Sequence, residues 1–375
     1  MSMIPKEIKL CSQNQTHNFS KIDYTNTNEN TKLRATFSKA DLWPQFRDIT
    51  VGFLSNADDI SVAASDPVLP NVDPIHKEIM DMFGQETVRL GSWGAAVREA
   101  IKKIVKERIE PLVNLKFNFI EDASKAIVKI KFNKDESPFS LLGYMQSMET
   151  RTLPTMNFPF FHPNVILHEF GHLLGLVHEH QNPNGGIQWN KEYILALGEK
   201  EGWVGEEYFQ NNFAVYNKDV VNGSTFDPLS IMLYYYGPEY TKNNVGTREN
   251  HRLSGKDVLW ICKTYPKQNE DPRVTAENFY QRVYGESLQS DIDKSDKLAV
   301  EFKSSDPSVT TVPPVTTVPP VPPVPPVTTV TTVSPVPTVS KVPIKSNSII
   351  WIVFGIIFGL IIILGIIALI IKYKK

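Results

Sequence analysis

Apolar residues recur with two different periods along the first half of the chain. At helical spacing they run through Val97, Ile101 and Ile109, which predicts an amphipathic helix from about 93 to 109. Alternating or continuous apolar runs predict extended segments, which lie at 49–54, 115–120, 126–132 and, in shorter form, near 140–146 and 153–158. Strands and helices mixed in this way predict an α+β fold.

The second half of the chain is less regular and mostly helical. Helical periodicity is found near 190–199, 203–212 and 253–265, and a shorter helical pattern lies upstream near 75–83. We therefore predict one folded domain over residues 41–268. A polar N-terminal extension or pro-segment, 1–40, precedes it, and a C-terminal extension, 269–305, follows it.

Two segments of biased composition follow the predicted domain. Residues 306–346 are rich in proline, threonine and valine, which favours an extended, semi-rigid stalk of roughly 100 Å over a packed core. Residues 349–371 are 23 consecutive apolar or glycine residues, about 34 Å as a helix and enough to cross a ~30 Å hydrocarbon layer. We therefore predict a single transmembrane helix over 348–371, which anchors the protein in the lipid bilayer, with a basic tail at 372–375.

The sequence leaves the side of the membrane open. Residues 1–20 lack the apolar core of a secretory signal, which favours a cytosolic, tail-anchored protein. The stalk, by contrast, is typical of cell-surface or viral envelope proteins, where its threonines could carry glycans. Lysines flank the apolar segment on both sides, so charge does not decide the orientation.

Charge and cysteine content exclude some classes of function. The formal net charge is −2, with acidic and basic residues interspersed, so no nucleic acid is expected as a partner. Cys11 and Cys262 are the two cysteines, too few and too far apart for a disulfide framework. They are either free thiols or one bridge, and Cys11 could also block a metal as a pro-segment thiolate. The oligomeric state stays unknown.

The candidate chemistry lies in one stretch, His168–His178, which reads HEFGHLLGLVH and follows the spacing HExxHxxGxxH. Its apolar positions predict a helix from about 163 to 174 that places His168 and His172 on one face, about 6 Å apart along the axis. If the helix continued, His178 would lie about 15 Å from His168 along the axis. Gly175 must therefore end the helix in the left-handed conformation that glycine adopts readily.

Three imidazoles around one ion leave a fourth coordination position for water, which is the pattern of catalytic rather than structural zinc. The alternative without a metal is a buried amphipathic helix with histidines on its polar side. Four of the eight histidines fall between 168 and 180, however, which favours a metal site. The sequence thus predicts one catalytic Zn²⁺ held by His168, His172 and His178.

The stretch 168–180, HEFGHLLGLVHEH, resembles the zinc motif of the metzincin metallopeptidases, and SIMLY at 230–234 resembles their Met-turn. Glu179, after the third histidine, is similar to the astacin-like branch, as are FDPLSIMLY and LSGKDVLWICKTY. The resemblance covers about 41–266. It implies a two-subdomain peptidase, with a twisted mixed sheet and helices above the cleft and an irregular, mostly helical lower half.

The resemblance also implies residue roles and a function. Glu169 would be the general base and Tyr234 a second catalytic group that can bind zinc at rest and later stabilise the oxyanion. Met232 would lie beneath the metal, and Glu179 would serve a buried network. The implied activity is that of a zinc-dependent endopeptidase acting on protein or peptide substrates.

The sequence departs from the family at several positions. Residues 181–184, Gln-Asn-Pro-Asn, replace the usual arginine and aspartates, Leu233 stands where histidine is frequent, and the disulfide cysteines are missing. An alternative function is a stalk-displayed adhesion module whose zinc is structural, and another is a zinc amidase. The intact Glu169 disfavours the first alternative, and the Met-turn resemblance disfavours the second.

Overall fold

The computed structural model describes the chain from residue 37 to residue 303 with short gaps. The described residues are 37–38, 41–55, 57–58, 60–62, 72–148, 153–200, 205–217, 221–222 and 225–303. The predicted stalk, 306–346, the predicted transmembrane helix, 348–371, and the basic tail lie outside them, as does Cys11. Within the described ranges, no helix is both long enough and apolar enough to span a membrane.

The strands form one central sheet and two small pairs. In chain order they are β1 (Phe37–Ser38), β2 (Asp48–Phe53), β3 (Ser61–Val62), β4 (Lys116–Phe119), β5 (Val128–Lys131), β6 (Phe139–Ser140), β7 (Met156–Asn157), β8 (Phe160–Phe161) and β9 (Val221–Asn222). The central sheet has the order β4-β2-β5-β7-β6. Its first four strands run parallel, and β6 pairs antiparallel to β7 at one edge. The sheet is therefore mixed.

The helices precede, interrupt and follow these strands. In chain order they are α1 (Ile75–Leu90), α2 (Trp93–Ile104), α3 (Met145–Met148), α4 (Pro163–Leu173), α5 (Lys191–Lys200), α6 (Gly205–Asn212), α7 (Gly255–Thr264), α8 (Pro272–Tyr284) and α9 (Leu288–Lys303). A π-helical turn, Val105–Ile109, continues α2. Helices together with a mixed sheet confirm the predicted α+β character.

The hydrophobic core joins the sheet to α2 and α4. Ile49 and Val51 of β2 and Val128 of β5 are fully buried, as are Ile101 of α2 and Phe170 of α4. The spacing of the buried apolar residues explains why these segments form a strand and helices. In β2 alternate residues point into the core, whereas in the helices the buried residues recur every three or four positions. The core thus fixes α4 against the sheet.

Most predicted elements have observed counterparts, and one prediction is wrong in part. The extended piece near 140–146 holds only for β6, since α3 begins at Met145. A turn intervenes, in which Met145 N donates to Leu142 O at 3.0 Å. The Gln146 side-chain amide then donates to Leu141 O at 2.9 Å, so a side chain of the turn satisfies a backbone carbonyl just after β6.

The C-terminal extension contributes two helices to the same core. Phe279 and Tyr280 of α8 and Leu288 of α9 are buried with the core residues of α7, among them the free thiol of Cys262. Burial raises the pKa of that thiol to about 12. At the far end of α9, Phe302 packs edge-on against Phe226 with ring centroids 5.2 Å apart.

Candidate metal centre

Helix α4 carries the first two motif histidines. Pro163 occupies the first helical position, where its missing N–H costs nothing. His168 and His172 lie one turn apart, with ring centroids separated by 4.8 Å. Both side chains are buried, so the spacing of the motif places two imidazoles side by side in the protein interior.

Gly175 ends α4 as the sequence predicts. Its φ is +96°, in the region that favours glycine. The turn closes with two hydrogen bonds, from Gly175 N to His172 O at 2.8 Å and from Leu176 N to Gly171 O at 3.0 Å. These bonds satisfy carbonyls that a helix end otherwise leaves unpaired.

Two distant side chains hold the last carbonyls of α4. Trp43 Nε1 donates to Leu173 O at 2.7 Å, and the Tyr265 hydroxyl donates to Leu174 O at 2.8 Å. Trp43 and Tyr265 also contact each other through a 3.3 Å bond from Trp43 N to the tyrosine oxygen. Both bonds therefore hold the backbone at the end of α4, a few residues upstream of His178 in the sequence.

The turn brings His178 back to the other two histidines. Potential ligand atoms of His168, His172 and His178 all lie within 4.8 Å of one another. The Nε2 atoms of His172 and His178 are 3.0 Å apart. Two ring nitrogens so close together are arranged as ligands of one ion would be.

Backbone carbonyls fix the orientation of two rings. His168 Nδ1 donates to Ile231 O at 2.9 Å, and His172 Nδ1 donates to Leu176 O at 2.8 Å. Because a carbonyl only accepts, Nδ1 carries the proton in both rings, and the lone pair stays on Nε2. His168 Nε2 is buried and has no protein hydrogen-bond partner. A cation would satisfy this lone pair.

The three rings are neutral at ordinary pH. Burial lowers the pKa of His168 to about 4 and that of His172 to about 3, with the neighbouring His168 as a second cause for His172. Burial followed by repulsion from nearby histidines holds the pKa of His178 well below its usual range. Neutral imidazole is the form that binds zinc, so the donor set fits the predicted ion.

Tyr234 completes the cluster. Its hydroxyl lies 2.7 Å from His178 Nε2, and its ring stacks on His168 with centroids 5.2 Å apart. Glu169 follows His168 on α4, with its side chain fully buried. The structure thus brings together His168, His172, His178 and Tyr234, while Glu169 lies beside His168 in the sequence of α4.

Met232 packs beneath the motif. A Cβ added at Gly171 would lie 2.6 Å from Met232 Sδ, so this glycine allows the methionine to approach α4 closely. Glu179 N donates to Met232 O at 3.0 Å and joins the methionine loop to the residue after the third histidine. The loop therefore supports both the helix and the returning chain.

A buried carboxylate network lies behind the cluster. Glu179 Oε1 accepts from Asn182 Nδ2 at 2.7 Å and from Asp227 N at 2.8 Å. Asp227 in turn accepts from Ser254 Oγ at 2.5 Å and from Ser295 Oγ of α9 at 2.6 Å. Burial, and then the charge of Asp227, raise the pKa of Glu179 to about 8.

Asp257 is the network residue that the sequence analysis missed. It forms a capping box with Ser254 at the start of α7 and also accepts from Ile231 N at 2.9 Å and from Ser230 Oγ at 2.8 Å. The S-x-x-D spacing before an apolar helix is a readable capping signal. What the sequence does not reveal is that the same carboxylate holds the loop whose Ile231 O orients His168.

Comparisons with known proteins give the chain distant structural neighbours. No protein-family model matches the sequence. No curated protein matches it either. Among solved structures, the chain is similar to myroilysin, with 24% sequence identity over 62% of this chain and all of that one, and a TM-score of 0.48. A second structure of myroilysin matches with 23% identity over 61% of this chain and 87% of that one, at a TM-score of 0.36.

A third neighbour is the hatching enzyme HCE-1, a zinc-protease from Oryzias latipes (Medaka fish). It matches with 13% identity over 64% of this chain and all of that one, at a TM-score of 0.34. Likenesses of this size leave the function to be argued from the site. What fold and site define together is an α+β domain with a buried cluster of three histidines arranged for one metal ion.

Proposed function

We propose that this protein is a zinc-dependent endopeptidase in which His168, His172 and His178 bind the ion. The observation that carries the proposal is the convergence of the buried ring nitrogens, within 4.8 Å of one another. A structural site would be closed by a fourth protein ligand such as a thiolate. The group beside these rings is instead the Tyr234 hydroxyl, whose oxygen lies 2.7 Å from His178 Nε2.

We assign roles to Glu169 and Tyr234 as part of the same proposal. A zinc ion held by the three histidines would supply Lewis acidity toward a water molecule and a peptide carbonyl. Glu169, next to His168 on α4, accepts the proton of the attacking water and passes it to the leaving amine. Tyr234 donates a hydrogen bond to the oxyanion that forms at the carbonyl carbon, an interaction strongest in the transition state.

The proposal includes membership of the metzincins and of their astacin-like branch. The motif and Met-turn residues support it, together with the close packing of Met232 against Gly171. The bond between Glu179 and the backbone of Asp227 supports the role that the resemblance gives to Glu179. Asn182, one of the residues that depart from the family pattern, is the other partner of Glu179.

We also propose that residues 348–371 anchor the peptidase in a membrane, at the end of the 306–346 stalk. The support is the length of the apolar run in the sequence. Alkaline carbonate extraction tests it: the full chain should stay with the membrane pellet, and a chain ending at residue 305 should be released. Release of both would contradict the anchor.

Substitution of Glu169 by glutamine tests the peptidase. The variant keeps a side chain of the same size but cannot accept the proton, so cleavage of casein should fall by roughly 10²- to 10⁴-fold. Zinc content by mass spectrometry should stay unchanged, because Glu169 is not a ligand. Glu121→Gln, an exposed glutamate after β4, serves as the matched control and should keep full activity.

Two outcomes would count against the proposal. Wild-type activity in Glu169→Gln would remove the general base from the mechanism. Activity that survives stripping of the metal by a chelator would remove zinc from it. An inactive wild-type chain with one tightly bound zinc would instead favour the structural-zinc adhesion module.

A further inference from the structure

Three histidines outside the motif form a second cluster. His76 lies at the start of α1, His162 immediately before α4, and His251 in the loop before α7. The ring centroids of His76 and His162 are 4.8 Å apart, and those of His162 and His251 are 6.3 Å apart. Residues far apart in sequence thus bring His76 and His251 to either side of His162.

The cluster is buried, and its polar atoms are poorly satisfied. Only 2% of His76, 9% of His162 and 5% of His251 is exposed. Both ring nitrogens of His76, and Nδ1 of His162, are buried without a protein hydrogen-bond partner. Burying a polar group without a partner costs free energy, and native proteins satisfy nearly all such groups. Something other than protein atoms should therefore meet these nitrogens.

The charge state of the rings indicates which kind of ligand would meet these nitrogens. Burial, followed by repulsion from His162 and His251, lowers the pKa of His76 to about 3, and burial lowers that of His162 to about 4. At neutral pH the rings are uncharged, so they do not attract an anion, and each keeps one lone pair. Several neutral imidazoles with available lone pairs are the donor set that zinc-class divalent ions prefer.

We propose that His76, His162 and His251 form a second site for a zinc-class divalent cation, with a structural role. The 4.8 Å separation of His76 and His162 equals that of His168 and His172 in the motif. His251 stands about 1 Å farther out than the widest motif pair, at 6.3 Å against 5.4 Å. Among the described residues only the motif histidines already have their ligand atoms within reach of one ion, so the second site requires His251 to turn toward the other two rings.

The surroundings of His251 suit such a movement. Its Nδ1 makes only a 3.3 Å contact with Asn164 Nδ2, and its Nε2 lies 3.9 Å from the exposed carboxylate of Glu249. His251 also lines a surface cavity with Glu249 and Arg252.

An ion at this site would join three parts of the domain. It would tie the first turn of α1 to the residue that precedes the catalytic helix α4 and to the loop that leads into α7. The backbone already brings two of these segments together, since Asp73 N donates to His251 O at 3.3 Å. The expected effect is therefore on stability rather than on turnover.

Metal counting on the full chain tests the site. After stripping and dialysis against Zn²⁺, the wild type should hold two zinc ions per chain by mass spectrometry, and His76→Phe should hold one and remain an active peptidase. His172→Phe should also retain one ion, whether or not the protein is a peptidase, which separates this inference from the proposed function. His76→Phe combined with His172→Phe should retain none.

Thermal unfolding supplies a second readout. At 100-fold excess over Kd, Zn²⁺ should raise the unfolding midpoint of His172→Phe by roughly 5 to 10 °C and leave the double variant unchanged. If His76→Phe does not fold, His251→Gln, at the cavity, takes its place in both measurements. One zinc ion in the wild type, or two in His76→Phe or in His251→Gln, would overturn the site. Buried water would then be the partner of these rings.

Discussion

At the scale of the residue, Tyr234 is the tyrosine that contacts the three motif histidines most directly, through its hydroxyl at His178 and its ring at His168. Its ring lies nearly parallel to that of His168, with an interplanar angle of 18°, and its oxygen contacts His178 Nε2. The ring is only partly buried and lies at the edge of a small apolar cluster that includes Tyr236. A donor that can exchange a resting contact for an oxyanion stabilises the transition state more than the ground state.

Replacing Tyr234 by phenylalanine should lower kcat by roughly 10²- to 10³-fold, the cost of losing one oxyanion donor. KM and zinc content should change little, because the hydroxyl is needed in the transition state. Tyr235→Phe is the matched control, since that neighbouring side chain is 47% exposed. Equal losses in both variants would mean that the tyrosines act by packing, and Tyr234 would lose its assigned role.

At the scale of the element, the sequence predicts the parts of the site that depend on period and glycine. Spacing placed His168 and His172 on one helical face, and the axial rise of a helix required the turn at Gly175. The orientation of each ring could not be predicted, because it depends on the carbonyls of Ile231 and Leu176. Every residue carries a carbonyl, so the sequence holds no sign of which one will face an imidazole.

Alanine at Gly175 tests the importance of this turn. The substitution forces a side chain into a left-handed backbone at φ +96°, with the new Cβ 3.0 Å from Leu42 Cδ2. We expect a loss of about 1–2 kcal/mol in the free energy of unfolding. Zinc should also bind more weakly, because His178 follows the turn. Chemical denaturation and zinc titration measure the two effects.

Gly91 provides the control for this experiment. It ends α1 at φ +72°, and a Cβ there would meet nothing within 4 Å. Gly91→Ala should also cost about 1–2 kcal/mol in stability, while zinc affinity stays at the wild-type value. Equal zinc affinities in the two alanine variants would show that the Gly175 turn does not position His178.

At the scale of the whole molecule, the helices after residue 268 belong to the packing that supports the site. Their contribution is hard to predict from the sequence, because α8 and α9 have few apolar residues. The role of those residues becomes clear only when they are seen packed against α7. Ser295 of α9 reaches Asp227, whose backbone N–H binds Glu179. A chain of hydrogen bonds therefore runs from the C-terminal helix to the residue beside the third histidine.

Two shortened chains test where the domain ends, which stays a prediction. Residues 41–305 should fold, and residues 41–268 should not. The shorter chain loses large buried side chains, namely Phe279, Tyr280, Leu288, Ile292 and Phe302. At about 1.5–3 kcal/mol each, their burial rivals the 5–15 kcal/mol by which a typical domain is stable. Cooperative thermal unfolding of the shorter chain would show that the domain ends at 268.

The buried carboxylates should also make stability depend on pH. Burial, and then the charge of Asp227, raise the pKa of Asp257 to about 7. A carboxyl whose pKa rises on folding stabilises the folded state below its unfolded pKa, near 4. That contribution is lost as pH rises through 7.

Asp257→Asn removes this titration. The stability of the variant relative to the wild type should therefore increase from pH 4 to pH 8, by up to a few kcal/mol at about 1.4 kcal/mol per pKa unit. Urea unfolding of both proteins across that range measures the difference. A constant difference would show that Asp257 does not change its charge there.

The bonds from Trp43 and Tyr265 to the end of α4 also set an order of events during synthesis. Tyr265 lies 91 residues after the carbonyl that it binds, so a growing chain that has just produced the motif cannot yet close this end of the helix. The three imidazoles can take up their final arrangement only after α7 has been made and has packed. Metal loading is then a late step on a nearly finished fold, and a chain interrupted before residue 265 should leave the ribosome without its zinc.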